Sequence, residues 1–173
     1  MSNLVTRLVL AMAPTAVLMA YCFAGSSGLK STEIIKVDID SSGKVHLLDS
    51  AGHEVVPPAD KNQADCRSAK IAEDRRTVGW LAEYPNADNS YPLPLILVIY
   101  RDGRVIQQIE PGQCIWDWQF LERGAEVVFW TGPTHGDFVP HCELHDVSNG
   151  KLLAHWDGHL DHKHPSWVDG LKE

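Results

Sequence analysis

The sequence predicts an all-β protein with two antiparallel four-stranded units and an N-terminal β-hairpin. An internal repeat is the first observation: superimposing residues 66–110 on residues 114–156 aligns cysteine, valine and glycine positions at offsets of 47 to 49 residues. In both copies, short runs with apolar side chains at alternate positions are separated by glycine-containing turns. That pattern is typical of antiparallel strands. Beyond residue 32, no stretch has the apolar spacing of a long amphipathic helix.

The all-β domain is predicted to span residues 33–157. Residues 25–32 are small and polar, so we expect a flexible lead-in there. Residues 33–40 and 44–50 alternate apolar and polar side chains around a Ser-Ser-Gly turn, which predicts the N-terminal hairpin or a small meander. Residues 158–173 are rich in histidine and are expected to form a C-terminal tail.

Periodicity and turns place the strands inside each unit. Residues 95–99 are apolar at every position, so this strand should be central and covered on both faces. The Asp-Gly pair at 102–103 is a strong signal for a two-residue hairpin turn. In the second unit, strict alternation predicts that Trp116, Trp118 and Phe120 share one face of the first strand.

Several segments resemble the repeats of TolB-like and WD40-like β-propeller proteins, among them VGWLAEY, WDWQF and LHDVSNGKLLAHWDG. The same run of motifs is similar to that of a family of small, exported, uncharacterised bacterial proteins. The resemblance covers residues 65–157 and implies blade-like units of four strands. Propellers close with four or more blades, whereas this chain supplies two and a partial one. The units are therefore expected either to pack as a sandwich or to close through a homo-oligomer.

The first 24 residues have the form of a secretory signal peptide. Arg7 is the only charge before Lys30, an apolar run covers residues 8–20, and small residues follow at Ala24. The run is too short to favour a membrane-spanning helix. We expect cleavage after Ala24, no membrane insertion afterwards, and a periplasmic or secreted protein. A retained N-terminal anchor and lipid attachment at Cys22 are the alternatives.

Charge narrows the class of partner. The formal net charge is −8, and the sequence contains no basic patch. Such a chain repels phosphate backbones and anionic lipid surfaces, which argues against nucleic acid and membranes as partners. A protein, peptide or carbohydrate ligand fits the charge better.

Export would allow disulfide bonds to persist. Cys66 and Cys114 occupy matching positions of the repeat, so a bridge between the first strands of the two units is one interpretation. The other is that these two and Cys142 are small buried apolar side chains.

Seven of the nine histidines lie between His135 and His164. Imidazole is a common ligand of zinc and copper, which suggests a histidine-rich protein that binds divalent metals. His141 and His145 share a strand face but should lie about 13 Å apart, too far to bind one ion together. The alternative is that the histidines are exposed or hydrogen-bonded without a metal. The candidate ligands form two sets: His135, Asp137 and His141, and the cluster of His159, His162 and His164.

The leading hypothesis is an exported binding or interaction module without catalytic activity. Its ligand face would be formed by the loops 85–92 and 131–140, with Tyr91, Trp130, His135 and Asp137 as contacts. Trp80, Trp116 and Trp118 are better explained as core residues, whereas Trp156, at a strand end, is with Trp130 an exception to the core interpretation. The sequence has no Gly-x-Ser-x-Gly elbow, His-Glu-x-x-His motif or phosphate-binding glycine loop. A hydrolase that uses His135 and Asp137 is therefore the weakest of three hypotheses, after the binding module and the metal-binding protein.

Overall fold

The computed structural model describes residues 32–87 and 90–172. The predicted signal peptide lies outside the described residues, as does all but the last position of the predicted lead-in. Within the described residues, no helix has the length and apolar character to cross a membrane.

The described residues form three antiparallel sheets, none of them closed into a barrel. The predicted all-β class is confirmed. The first sheet contains β1 (Ile34–Ile39), β2 (Val45–Asp49) and β3 (Glu54–Val55). The second contains β4 (Asp65–Ile71), β5 (Thr77–Tyr84), β6 (Leu93–Arg101) and β7 (Arg104–Ile109). The third contains β8 (Cys114–Leu121), β9 (Glu126–Gly132), β10 (His141–Asp146) and β11 (Leu152–Asp157). Two single-turn 3-10 helices cover Glu122–Gly124 and Ser166–Val168.

Each four-stranded sheet is a meander in which strands that follow one another along the chain are neighbours. The two predicted units are therefore the second and third sheets. The N-terminal hairpin gains a third strand, because β3 pairs with β2 through Leu47 opposite Val55 and Leu48 opposite Glu54. Short turns between the strands account for this order, since antiparallel neighbours need only a few connecting residues.

The three sheets stack in chain order, with the second sheet in the middle. Trp80 and Val98 of the second sheet pack against the first sheet. Leu81 and Leu97, one position along each strand, pack against the third sheet. Both faces of β6 are thus covered, as its continuous apolar run predicts.

The second and third sheets approach closely where Trp118 lies over Gly79. A Cβ atom at Gly79 would lie 2.7 Å from the Trp118 ring. The indole Nε1 of Trp118 donates a hydrogen bond to the Ser68 carbonyl oxygen at 3.0 Å. This fully buried tryptophan therefore fixes both the spacing and the position of the two sheets.

The expectation that three aromatic residues of β8 share one face is wrong. Trp118 and Phe120 face the second sheet, whereas Trp116 packs on the opposite, outer face of the third sheet. A register shift between Ile115 and Asp117 explains the difference, because an extra residue in one strand reverses the alternation of side chains.

The outer face of the third sheet is covered by the residues after β11. Val168 and Leu171 are buried against this face, 1% and 9% exposed. The Trp130 indole donates a hydrogen bond to the Lys172 carbonyl oxygen at 2.8 Å. The segment predicted as a tail is, through residue 172, packed on the domain.

Cys66 and Cys114 are buried free thiols, and Cys142 is buried as well. Cys66 packs beside Val45 and Trp80, on the face of the second sheet turned away from the third. Stacked sheets lie about 10 Å apart, whereas a disulfide needs Cα atoms within about 7 Å. Matching positions in stacked units therefore do not bring Cys66 and Cys114 together.

Candidate functional site

The loop between β9 and β10 is held by an aromatic stack at its base. The rings of Trp130 and Phe138 stack with centroids 6.2 Å apart, and Trp116 lies 6.3 Å from Trp130 on the same face. Phe138 rests directly on Gly132, where a Cβ atom would lie 2.3 Å from the phenyl ring. Glycine at position 132 is thus what allows the ring to lie against the strand.

An open groove of about 650 Å³ lies between this loop and the residues that follow β11. Val139 contributes an aliphatic side chain that is 56% exposed. Phe138 supplies a half-buried ring, and Asp137 an exposed carboxylate. The groove is lined by Gly136, Asp137, Phe138, Val139 and His159. It combines an apolar wall with one carboxylate and one imidazole.

The residues predicted to contact a ligand are not all at this groove. Asp137 lines it, and His135 is exposed on the same loop. Trp130 is only 6% exposed and belongs to the core beneath the loop. Tyr91 is 50% exposed but lies on the loop between β5 and β6, and it is not among the described residues that line the groove.

The residues predicted to bind metal do not come together in one cluster. The ring centroids of His159 and His162 are 5.7 Å apart, while His164 lies against Trp156. His141 is hydrogen-bonded on β10, and Asp137 faces the groove. Across residues 32–87 and 90–172, no three His, Cys, Asp or Glu side chains are placed to hold a metal ion together.

A ladder of histidines and carboxylates occupies one face of β10 and β11. Glu143 lies between two imidazoles: its Oε1 is 3.1 Å from Nε2 of His141 and its Oε2 is 2.6 Å from Nε2 of His145. Asp157 lies across the strand pair, with Oδ1 2.6 Å from Nδ1 of His141. Nδ1 of His145 is 3.0 Å from the Gly150 carbonyl oxygen.

The ring nitrogens of both imidazoles in this ladder are hydrogen-bonded only to oxygen acceptors. A carboxylate or carbonyl oxygen accepts a hydrogen bond and donates none, so each ring satisfies its partners only when both nitrogens carry a proton. The geometry therefore indicates that His141 and His145 are imidazolium cations when the carboxylates are ionised. His145 is 7% exposed and stacks on Phe129 with ring centroids 5.3 Å apart.

The electrostatic consequences agree with this geometry. The hydrogen bond with Asp157 is the main cause that raises the pKa of His141, against the effect of burial. Burial lowers the pKa of His145, but the hydrogen bonds with Glu143 and the Gly150 carbonyl together outweigh burial and raise it. The hydrogen bond with His145 is the largest cause that lowers the pKa of Glu143.

Sequence reasoning singled out His141 but missed Glu143 and Asp157. One signal was available: His-x-Glu-x-His in a strand places all three side chains on one face. Asp157 reaches His141 only because the two residues lie opposite each other in the β10–β11 pair. This register is set by the turn between the two strands. The estimated 13 Å between the two histidines is bridged by the glutamate between them.

Comparison with known proteins assigns no family. No protein-family model matches the chain, and a search of curated proteins found no significant match.

Proposed function

We propose that this protein is an exported binding module without catalytic activity, which holds its ligand in the groove between residues 136–139 and His159. The single observation that carries the proposal is the exposed apolar wall of that groove. Val139 is 56% exposed, although the preceding residue, Phe138, is packed closely against Gly132. A large aliphatic side chain held open on a supported loop is suited to contact with a partner.

The support beneath the groove also favours binding. The stack of Phe138 on Trp130 and of Trp130 beside Trp116 ties the loop to the third sheet. Binding groups held by a rigid scaffold lose less conformational entropy when a ligand is bound. The stack therefore holds the base of the loop that carries Asp137 and Val139.

The groove gives less support to hydrolysis. A general base needs an orienting partner and a bound nucleophile. In the described part of the chain no hydrogen bond or ion pair joins His135 to Asp137, and both side chains are exposed. The His135→Ala variant is expected to retain the fold and any ligand affinity that depends on Val139.

A screen with two matched variants tests the proposal. Wild-type protein, Val139→Asn and Ile35→Asn are applied to the same immobilised peptide library and glycan array. Ile35 is 50% exposed on β1 and serves as the control for a polar group placed on an exposed aliphatic residue. We expect ligands that bind wild type and Ile35→Asn but not Val139→Asn. Ligands that bind all three proteins equally would contradict the proposed groove.

A further inference from the structure

The groove contains an acidic side chain as well as an apolar wall. Of the described residues that line it, Asp137 is the only acidic one, and none is lysine or arginine. The chain as a whole has a formal net charge of −8. A ligand with positive charge is attracted both by the groove and by the field of the whole protein.

Acidic groups continue along the strand end beside the groove. The Gly158 amide donates a hydrogen bond to the Pro140 carbonyl oxygen at 3.1 Å, which fixes the end of β11 to the end of the loop. Asp157, next to Gly158, has a side chain that is 61% exposed. One of its oxygens is engaged by His141, so Asp137 remains the carboxylate that faces the groove directly.

The apolar and acidic parts are arranged for an amphipathic cation. A lysine or arginine side chain has an aliphatic stem and a charged end, and it buries the stem along apolar surface while the charge stays hydrated or paired. The stem would lie along Val139 and Phe138, and the charged end would reach Asp137. The groove is open rather than enclosed, which suits a side chain presented on a peptide. No tryptophan is among the described residues that line the groove, so it offers no indole surface for a sugar ring.

On these grounds we infer that the ligand of the groove is an extended peptide segment that carries a lysine or arginine side chain. This inference rests on the proposed function, because it names the ligand class of the same groove.

Three labelled peptides test the ligand class by fluorescence anisotropy: acetyl-Ala-Ala-Lys-Ala-Ala-amide and the same peptide with norleucine or glutamate in place of lysine. The lysine peptide should bind most tightly. Since exposed ion pairs contribute modestly, Asp137→Asn should weaken the binding of the lysine peptide by about 1.5- to fivefold. Added salt should also weaken the binding of the lysine peptide. Asp161→Asn is the control, because Asp161 is 79% exposed and is not among the groove residues.

The outcomes separate this inference from the proposed function. Equal affinity for the three peptides, or equal effects of Asp137→Asn and Asp161→Asn, would overturn the cationic ligand. If only a glycan binds and Val139→Asn abolishes that binding, the groove is a binding site and the inference about its ligand is wrong. If Val139→Asn changes the binding of no peptide or glycan, both are wrong.

Discussion

Glu143→Gln should weaken the fold strongly in mildly acidic solution and little in alkaline solution. The glutamate carboxylate lies between two imidazolium rings, at 3.1 Å from His141 and 2.6 Å from His145. A glutamine amide keeps the shape but offers one acceptor and one donor, so one ring loses its acceptor. A hydrogen bond to a charged group contributes about 1.5–3 kcal/mol. The side chains of His145 and Glu143 are only 9% and 17% exposed, so water replaces little of this loss.

The pH dependence follows from the sign of each shift. The pKa values of His141 and His145 are raised in the folded protein above 6.5, so their contribution is complete below pH 6.5 and is lost as the pH rises through the raised values. The pKa of Glu143 is lowered below 4.5, so its contribution is complete above pH 4.5 and is lost as the pH falls through the lowered value. The ladder therefore stabilises the fold most between about pH 4.5 and 6.5.

Denaturant unfolding followed by tryptophan fluorescence measures the effect. At pH 5.5 we expect Glu143→Gln to lower the free energy of unfolding by about 2–3 kcal/mol, and at pH 8.5 by less than about 1 kcal/mol. Deprotonation of His145 in the variant limits the loss at the lower pH. Glu73→Gln, on an exposed turn, makes the same change in net charge and should have no such effect. An equal loss at both pH values, or none at pH 5.5, would refute the reasoning.

Three further predictions concern other parts of the fold. Gly79→Ala places a Cβ atom 2.7 Å from the Trp118 ring and should lower the free energy of unfolding by about 1–3 kcal/mol, measured by the same denaturant method; an unchanged midpoint would mean that the sheets are spaced more widely. The hydrogen bond with Asp40, and to a smaller extent the one with Glu54, raises the pKa of His46. The stabilisation by protonated His46 is therefore lost as the pH rises, so His46→Asn should lower the thermal midpoint at pH 5.5 but not at pH 8.5. Burial raises the pKa of the Cys66 thiol to about 12, so iodoacetamide should leave it unmodified in the native protein. Intact mass after alkylation in denaturant without reductant should show that all three described cysteines have reacted, whereas only one would react if Cys66 and Cys114 were bridged.

The parts of the fold that depend on local sequence were predictable. The continuous apolar run in β6 identified a strand covered on both faces, and in the structure Leu97 and Val98 pack against different sheets. The Asp-Gly turn at 102–103 joins β6 to β7, with Gly103 at a φ of +85° that glycine adopts without strain. Alternation and turn residues act over a few positions, so they can be read without knowledge of the rest of the chain.

The groove and the histidine–carboxylate ladder depend on contacts between distant residues, which the sequence pattern does not reveal. The bulge at Ile115 to Asp117 places Trp116 on the opposite face of β8 from Trp118. Both faces are apolar, so the residue type alone does not show which face each tryptophan occupies. The pairing of His141 with Asp157 spans sixteen residues and depends on strand register. The groove needs Phe138 to lie on Gly132, which is a close approach of a loop to a strand that composition does not reveal.

The two end faces of the three-sheet stack differ in what covers them. If several copies closed into a ring of blades, the outer faces of the first and third sheets would pack against each other between copies. Here the outer face of the first sheet carries charged and polar side chains, with His46 held between Asp40 and Glu54. The outer face of the third sheet is covered by residues 158–172, with Val168 and Leu171 buried. A ring of several copies would have to bury ionised groups at one end and displace a packed segment at the other. Repeat proteins commonly cap their terminal units with a polar outer face, and the outer face of the first sheet, with His46 between Asp40 and Glu54, has this character.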